Sequence, residues 1–144
     1  VGRWFRAAGH VEVDRDAGRG AYDDAVRAAR AGRLLLVYPE ASITRRPDGM
    51  PMSMKSGAVR IALEASVPLV PVAQWGAQSI LPAYSRRLHV GRRRRVVIAV
   101  GDPIRLDDLT DLDMPSAVRI GLGRLEEALA SMVRELSAES ARSS

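Results

Sequence analysis

The chain has 144 residues, 47% of them apolar, which suffices for one domain with its own core and argues against disorder. It has no cysteine, which excludes disulfides, a thiolate nucleophile and thiolate-bound metal, and its two histidines, His10 and His89, leave little for an imidazole metal centre. The net charge of +5 rests on arginine, with Lys55 the sole lysine; high-GC coding or attraction to phosphate on lipid, coenzyme A or nucleic acid would each produce it.

No run of about 18 apolar residues occurs, so no membrane-spanning helix is expected, and no signal peptide is visible. The chain opens on Val1 and not Met, so it is expected to be processed or a fragment of a longer chain. His10 to Asp14 alternates polar residues with valine and predicts a strand. Tyr22 to Ala31 is alanine-rich, with Tyr22, Val26 and Ala29 on one helical face and Gly32 where a helix-ending glycine belongs. Arg33 to Tyr38 predicts a short buried strand, bounded by Gly32 and Pro39. A polar loop follows to residue 53, with Pro47-Asp48-Gly49 as a turn.

Lys55 to Ala65 predicts a second helix through the spacing of Val59, Ala62 and Leu63. Val67 to Ala73 predicts another buried strand, limited in its ladder by Pro68 and Pro71. Arg95 to Val100 predicts a third apolar strand, ended by Gly101-Asp102-Pro103. Ser116 to Leu136 predicts a long amphipathic helix whose stripe is Val118, Leu122, Leu125, Leu129, Met132, Val133 and Leu136. That stripe packs on a sheet or lies on a membrane surface; its mixed polar face, with Arg119, Arg124 and Arg134 beside Glu126, Glu127 and Glu135, favours packing. Residues 137 to 144 read as a polar tail. Alternating strands and helices predict a single α/β domain.

The chemistry concentrates at Tyr38-Pro39-Glu40-Ala41-Ser42-Ile43-Thr44-Arg45-Arg46, directly after the apolar run Leu34 to Val37. In α/β proteins ligand groups gather just beyond the carboxyl ends of strands. Ser42 or Thr44 can hydrogen-bond a phosphate oxygen, and Arg45 or Arg46 can grip it bidentately. Lys55-Ser56-Gly57 opens a helix, a further place for an anion. A bare Pro-Glu pair by itself is more often a solvated strand exit, and Lys at a helix start is often only solvated.

Taken together, these segments resemble the glycerolphosphate and lysophosphatidic acid acyltransferase family. Its pattern of aromatic, Pro, Glu, Gly, Thr or Ser, then Arg is similar to Tyr38 to Arg45, with Ala41 in place of the glycine and the arginine two positions late. Its block of glycine, alternating aliphatics and a closing arginine is matched by Gly9, Val11, Val13 and Arg15. Its Lys-x-Gly pair is matched by Lys55 and Gly57, and its valine-proline-rich block by Val67 to Ala73. Four blocks in order over residues 9 to 73 carry the resemblance.

The resemblance implies a glycerol-3-phosphate acyltransferase-like α/β fold, with a mixed, mostly parallel sheet and flanking helices, over residues 1–136. It implies transfer of a fatty acyl group from acyl-CoA or acyl carrier protein to a lysophospholipid or glycerol phosphate hydroxyl. The acyl donor is a substrate, and neither a metal nor a bound cofactor is implied. Substrate-binding residues would be Gly9, Arg15, Glu40, Ser42, Thr44, Arg45 and Lys55, with Arg15 associated with the glycerol phosphate and Glu40 orienting an arginine or accepting a substrate hydroxyl. The family's general base is the His of a His-x-x-x-x-Asp block upstream of Gly9. Neither His10 nor His89 fits it, so both catalytic residues are expected upstream of Val1 and the chain alone is expected to be inactive.

The implied place of work is peripheral, on the cytoplasmic face of the plasma membrane. The arginines at 86, 87 and 92 to 95 suit a solvated hairpin, anionic lipid or coenzyme A phosphate. A non-catalytic lipid-binding module is the rival reading. Nucleic-acid binding is not expected, because Trp75 and Tyr84 are too few for a stacking platform.

Overall fold

The computed structural model describes residues 20–42, 44, 46, 48–85, 88–89 and 94–142. The strand expected at His10 to Asp14 lies outside them. Helix α1 spans Gly20–Arg30 and buries Ala25, Val26, Ala28 and Ala29. It ends where the sequence places the stop: Gly32 has φ +75, its N–H reaches the Ala29 carbonyl, and the Arg33 N–H reaches the Ala28 carbonyl. Helix α2 spans Gly57–Ala65 and ends on a left-handed Ser66. The two helices pack through Val26, Ala29 and Ala65, with Tyr22 and Ile61 at the margin. On the surface the Tyr22 hydroxyl donates to Glu64 at 2.6 Å and Arg60 lies over the Tyr22 ring.

Residues 33–38 depart from the predicted buried strand. They carry no assigned helix or strand, and Leu34 and Leu36 are 97% and 71% exposed. Only Leu35 turns in, onto the cluster of Val26, Ala29 and Ala65. An unbroken apolar run reads as burial on both faces, but the described residues cover only one.

Strand β1 is Val72–Trp75 and strand β2 is Val97–Val100, paired antiparallel from Val72 opposite Val100 to Trp75 opposite Val97. The predicted strand at 67–73 is thus shifted toward its end. Pro68 and Pro71 have no N–H for a ladder, and what remains of pairing there is one bridge, Leu69 with Ile104. The resemblance implies a mixed, mostly parallel sheet; the one sheet among the described residues is the antiparallel pair of β1 and β2. A parallel partner needs a helical crossover, and between β1 and β2 the described residues hold only a single 3-10 turn, Ala77–Ser79.

Helix α3 spans Met114–Arg142. Asp113 caps it: its carboxylate accepts the Ser116 N–H, and hydrogen bonding from the Ser116 side chain first, and then from that N–H, holds the Asp113 pKa below the usual carboxylate value. The helix runs past Leu136 because Ser137 to Arg142 holds no glycine or proline; the segment read as a polar tail is helical as far as Arg142. From Leu122 to Leu136 its stripe is covered by protein. Leu125, with Leu122 and Leu129, packs on Met54 and Val59. Val133 and Leu136, with Met132, pack on Ala73, Trp75, Val97 and Ala99. Packing therefore occupies the face that a membrane surface would need. None of the described helices is long and apolar enough to cross a membrane.

Candidate functional site

The site begins where the apolar segment ends. Pro39, with its fixed φ, takes the second position of a turn in which the Ala41 N–H donates to the Tyr38 carbonyl at 3.2 Å. Ala41 sits in the left-handed region at φ 54. The chain then runs outward through exposed Ser42.

The next loop satisfies itself. Thr44 Oγ1 donates to the Met50 carbonyl at 3.0 Å and accepts the Arg46 N–H at 3.3 Å. Arg46 grips Asp48 with two hydrogen bonds of 3.0 and 2.7 Å. Asp48 also accepts the Met50 N–H. The Arg46 guanidinium first, and then that backbone N–H, lower the Asp48 pKa to about 2. Gly49 follows at φ +68, so close to Trp75 that a Cβ there would stand 2.8 Å from the indole ring.

From Met50 the chain crosses back as a strap over the exit turn. Pro51 has no N–H, and three of the next four residues direct theirs to defined acceptors. Met52 donates to Glu40 Oε2 at 2.8 Å, Met54 to Glu126 Oε1 at 3.3 Å, and Lys55 to the Pro39 carbonyl at 2.8 Å. The Met54 side chain anchors the strap in the core beside Val59 and Leu125. Lys55 is exposed, directly before α2. The N-terminus of α2 has no side-chain cap and no acidic residue in its first turn. The positive ends of its first peptide dipoles thus remain beside a lysine and an exposed serine turn.

A family model described as Acyltransferase matches residues 1–75, just over half of the chain. The chain belongs to the acyltransferase family. Over 137 residues, 94% of its length, it is 27% identical to a 1-acyl-sn-glycerol-3-phosphate acyltransferase of Bacillus subtilis (strain 168), covering 61% of that protein. It is 28% identical to the human 1-acyl-sn-glycerol-3-phosphate acyltransferase alpha over 103 residues, 72% of this chain and 33% of that one. The crystal structure of the 1-acyl-sn-glycerophosphate (LPA) acyltransferase PlsC from Thermotoga maritima has a similar fold, with TM-score 0.59 and 26% identity over 83% of this chain and 45% of that one. The chain thus spans between a third and about three fifths of the length of these curated relatives.

Within this acyltransferase domain the residues singled out in the sequence fall into three groups. Glu40, Ser42, Thr44 and Lys55 lie on one loop and its return strap. Gly9, Arg15 and Arg45 lie outside the described residues, as does His10. His89 is exposed, and its backbone N–H donates to the Ile80 carbonyl. The local bonds alter what three groups can do. Thr44 is engaged within its loop, Arg46 is neutralised by Asp48, and one Glu40 oxygen holds the strap.

Asp48 was legible only as a turn residue, although an arginine two positions before an acid and a glycine is a local signal for such a clasp. Glu126 was legible only as part of a polar helix face, because its partner is 72 positions away. The groove between residues 101–105 and α3, with Arg124 and Met132 among its lining residues, shares no residue with this loop. Its Arg124 is already held by Asp108 and the Arg105 carbonyl.

Proposed function

We propose that this domain is the acceptor-binding part of an enzyme that moves a fatty acyl group from a thioester to the hydroxyl of a 1-acylglycerol 3-phosphate. The observation that carries the reading is the tie between the exit turn and the start of α2 at the family-matched positions. It joins the Lys55 backbone N–H, two residues before α2, to the Pro39 carbonyl, three residues before Ser42; in the proposal the Ser42 hydroxyl, the Lys55 ammonium and the first amides of α2 meet the phosphate there. Such a set suits an esterified phosphate: the ammonium supplies charge, and the hydroxyl and amides supply directed donors. Arg15 and Arg45 are the guanidiniums that the family pattern adds.

In the reaction the acceptor hydroxyl attacks the thioester carbonyl, the C–S bond breaks and the thiol leaves with its proton supplied through a base. The described residues would hold the phosphate so that the hydroxyl meets the carbonyl in the right orientation. The donor is acyl-CoA or acyl carrier protein, and no metal or resident cofactor enters the proposal. The place of work is the cytoplasmic face of the plasma membrane, in peripheral contact.

The residues five positions beyond His10 and His89 are Arg15 and Arg94, so neither histidine has the aspartate of the family's catalytic pair. The 144 residues alone therefore give no turnover in this proposal. A chimera tests it: this chain replaces the matching stretch of the Bacillus subtilis relative, and turnover is followed with acyl-CoA and lysophosphatidate. Turnover well above that of the relative lacking the stretch is expected. A folded chimera that binds vesicles without turnover would favour a lipid-binding module instead.

A further inference from the structure

The strap from Met50 to Lys55 belongs to no helix or sheet, so its backbone N–H groups need acceptors supplied by side chains or turns. Glu40 and the Pro39 carbonyl come from the turn itself. The third acceptor comes from far away, from the middle of α3, and lies well outside the stretch matched by the family model. Glu126 is half-buried, between Leu122 and Leu125 in sequence and Leu129 one turn on, all three of which pack against the Met54 and Val59 cluster. An apolar residue would suit that margin better unless the carboxylate were needed there. Its Oε1 takes the Met54 N–H, one residue before Lys55.

We propose that Glu126 is a positioning residue for the acceptor phosphate. By holding the Met54 N–H it fixes the height of the strap over the exit turn, and so the place from which the Lys55 ammonium reaches. The inference rests on the reading of this loop as the acceptor site. It assigns a part of that site to α3, a helix whose other visible duty is to cover the core. Loss of the acceptor would free the strap at Met54 while Met52 and Lys55 kept their own bonds. The consequence is a looser Lys55 in a domain that stays folded.

The test compares the 144-residue chain with Glu126→Ala, Glu126→Gln and, as a control on the exposed side of the same helix, Glu127→Ala. Amide hydrogen exchange and the affinity for sn-glycerol 3-phosphate are both read. In Glu126→Ala, exchange at Met54 should rise about fivefold or more, as expected when a local hydrogen bond is lost, while the Met52 and Lys55 amides keep their own acceptors. Affinity should fall by roughly threefold to tenfold, in line with the loss of one positioned contact. Glu126→Gln keeps a carbonyl acceptor and should restore both; Glu127→Ala should change neither. Unchanged exchange in Glu126→Ala overturns the inference, and so does faster exchange with unchanged affinity. No saturable binding by the parent chain contradicts the acceptor-site reading itself. Binding by the parent with equal affinity in Glu126→Ala overturns the inference alone.

Discussion

The Lys55 N–H donates to the Pro39 carbonyl at 2.8 Å, joining the start of α2 to the first residue beyond the exit of the apolar segment. The sole lysine of the chain is thereby placed beside the turn that carries Ser42, although the two are separated by a polar loop. That loop closes through its own side chains. Thr44 ties to Met50 and Arg46 to Asp48, and Gly49 lies against Trp75. The bond joins two of the family-matched blocks, Tyr38 to Arg45 and the Lys55–Gly57 pair.

Ala41 occupies a left-handed conformation where the family pattern has glycine. For an L-residue that conformation costs about 1–2 kcal/mol, against roughly 0.5–1 kcal/mol for the extra chain entropy that glycine loses on folding. Ala41→Gly should therefore stabilise the domain by about 0.5–1 kcal/mol, seen as a higher melting temperature. An unchanged or lower melting temperature would mean that the turn is not held in this conformation in solution.

Gly121 lets α3 approach α2. A Cβ at that position would stand 2.8 Å from Val59 Cγ1 and 3.0 Å from Leu106 Cδ2. Val59 is fully buried, so it has no solvent to move into. Gly121→Ala should cost roughly 1–3 kcal/mol by overpacking. Gly123→Ala, with nothing within 4 Å, should instead stabilise by up to about 1 kcal/mol through helix propensity. Denaturant melts of the two variants check the pair, and the same sign in both would refute the close approach.

The Arg46–Asp48 clasp gives the loop a dependence on acid. The folded-state pKa of Asp48 is lowered from 3.8 to about 2, so the contribution of the clasp is present above the unfolded value and is lost as pH falls through the folded one. Between pH 4 and 2 the loop should loosen, followed by the amide signals of Arg46, Gly49 and Met50. Asp48→Asn should remove that transition. High salt should weaken the clasp, because both side chains are half exposed.

The helices and the end of α1 were readable from sequence because their causes are local, whereas α3 runs on past Leu136 to Arg142. Val26 and Ala29 share a face, Gly32 stops α1, and the stripe from Leu122 to Leu136 lies where the 3.6-residue period puts it. The site loop was readable as a cluster of polar groups after an apolar run. What each group does was not. Thr44 and Arg46 carry the right chemistry for a phosphate, yet their nearest partners are Met50 and Asp48, and only the folded loop decides that competition. The pairing of Met54 with Glu126 spans 72 positions, half the length of the chain, and no periodicity encodes it. Leu34 to Tyr38 misled for a related reason: apolar composition records what a segment is built to bury, and not which described residues cover it.

The most direct measurement is a titration of the 144-residue chain with sn-glycerol 3-phosphate and, separately, with glycerol, followed by amide chemical shifts. The phosphate ester should move the signals of Ala41, Ser42, Lys55, Ser56 and Gly57 together and saturably, and glycerol should leave them in place. Lys55→Ala should weaken the binding by roughly tenfold, about 1.4 kcal/mol. Equal responses to the two ligands, or shifts confined to residues away from the Pro39 turn and the start of α2, would contradict an acceptor-phosphate site there.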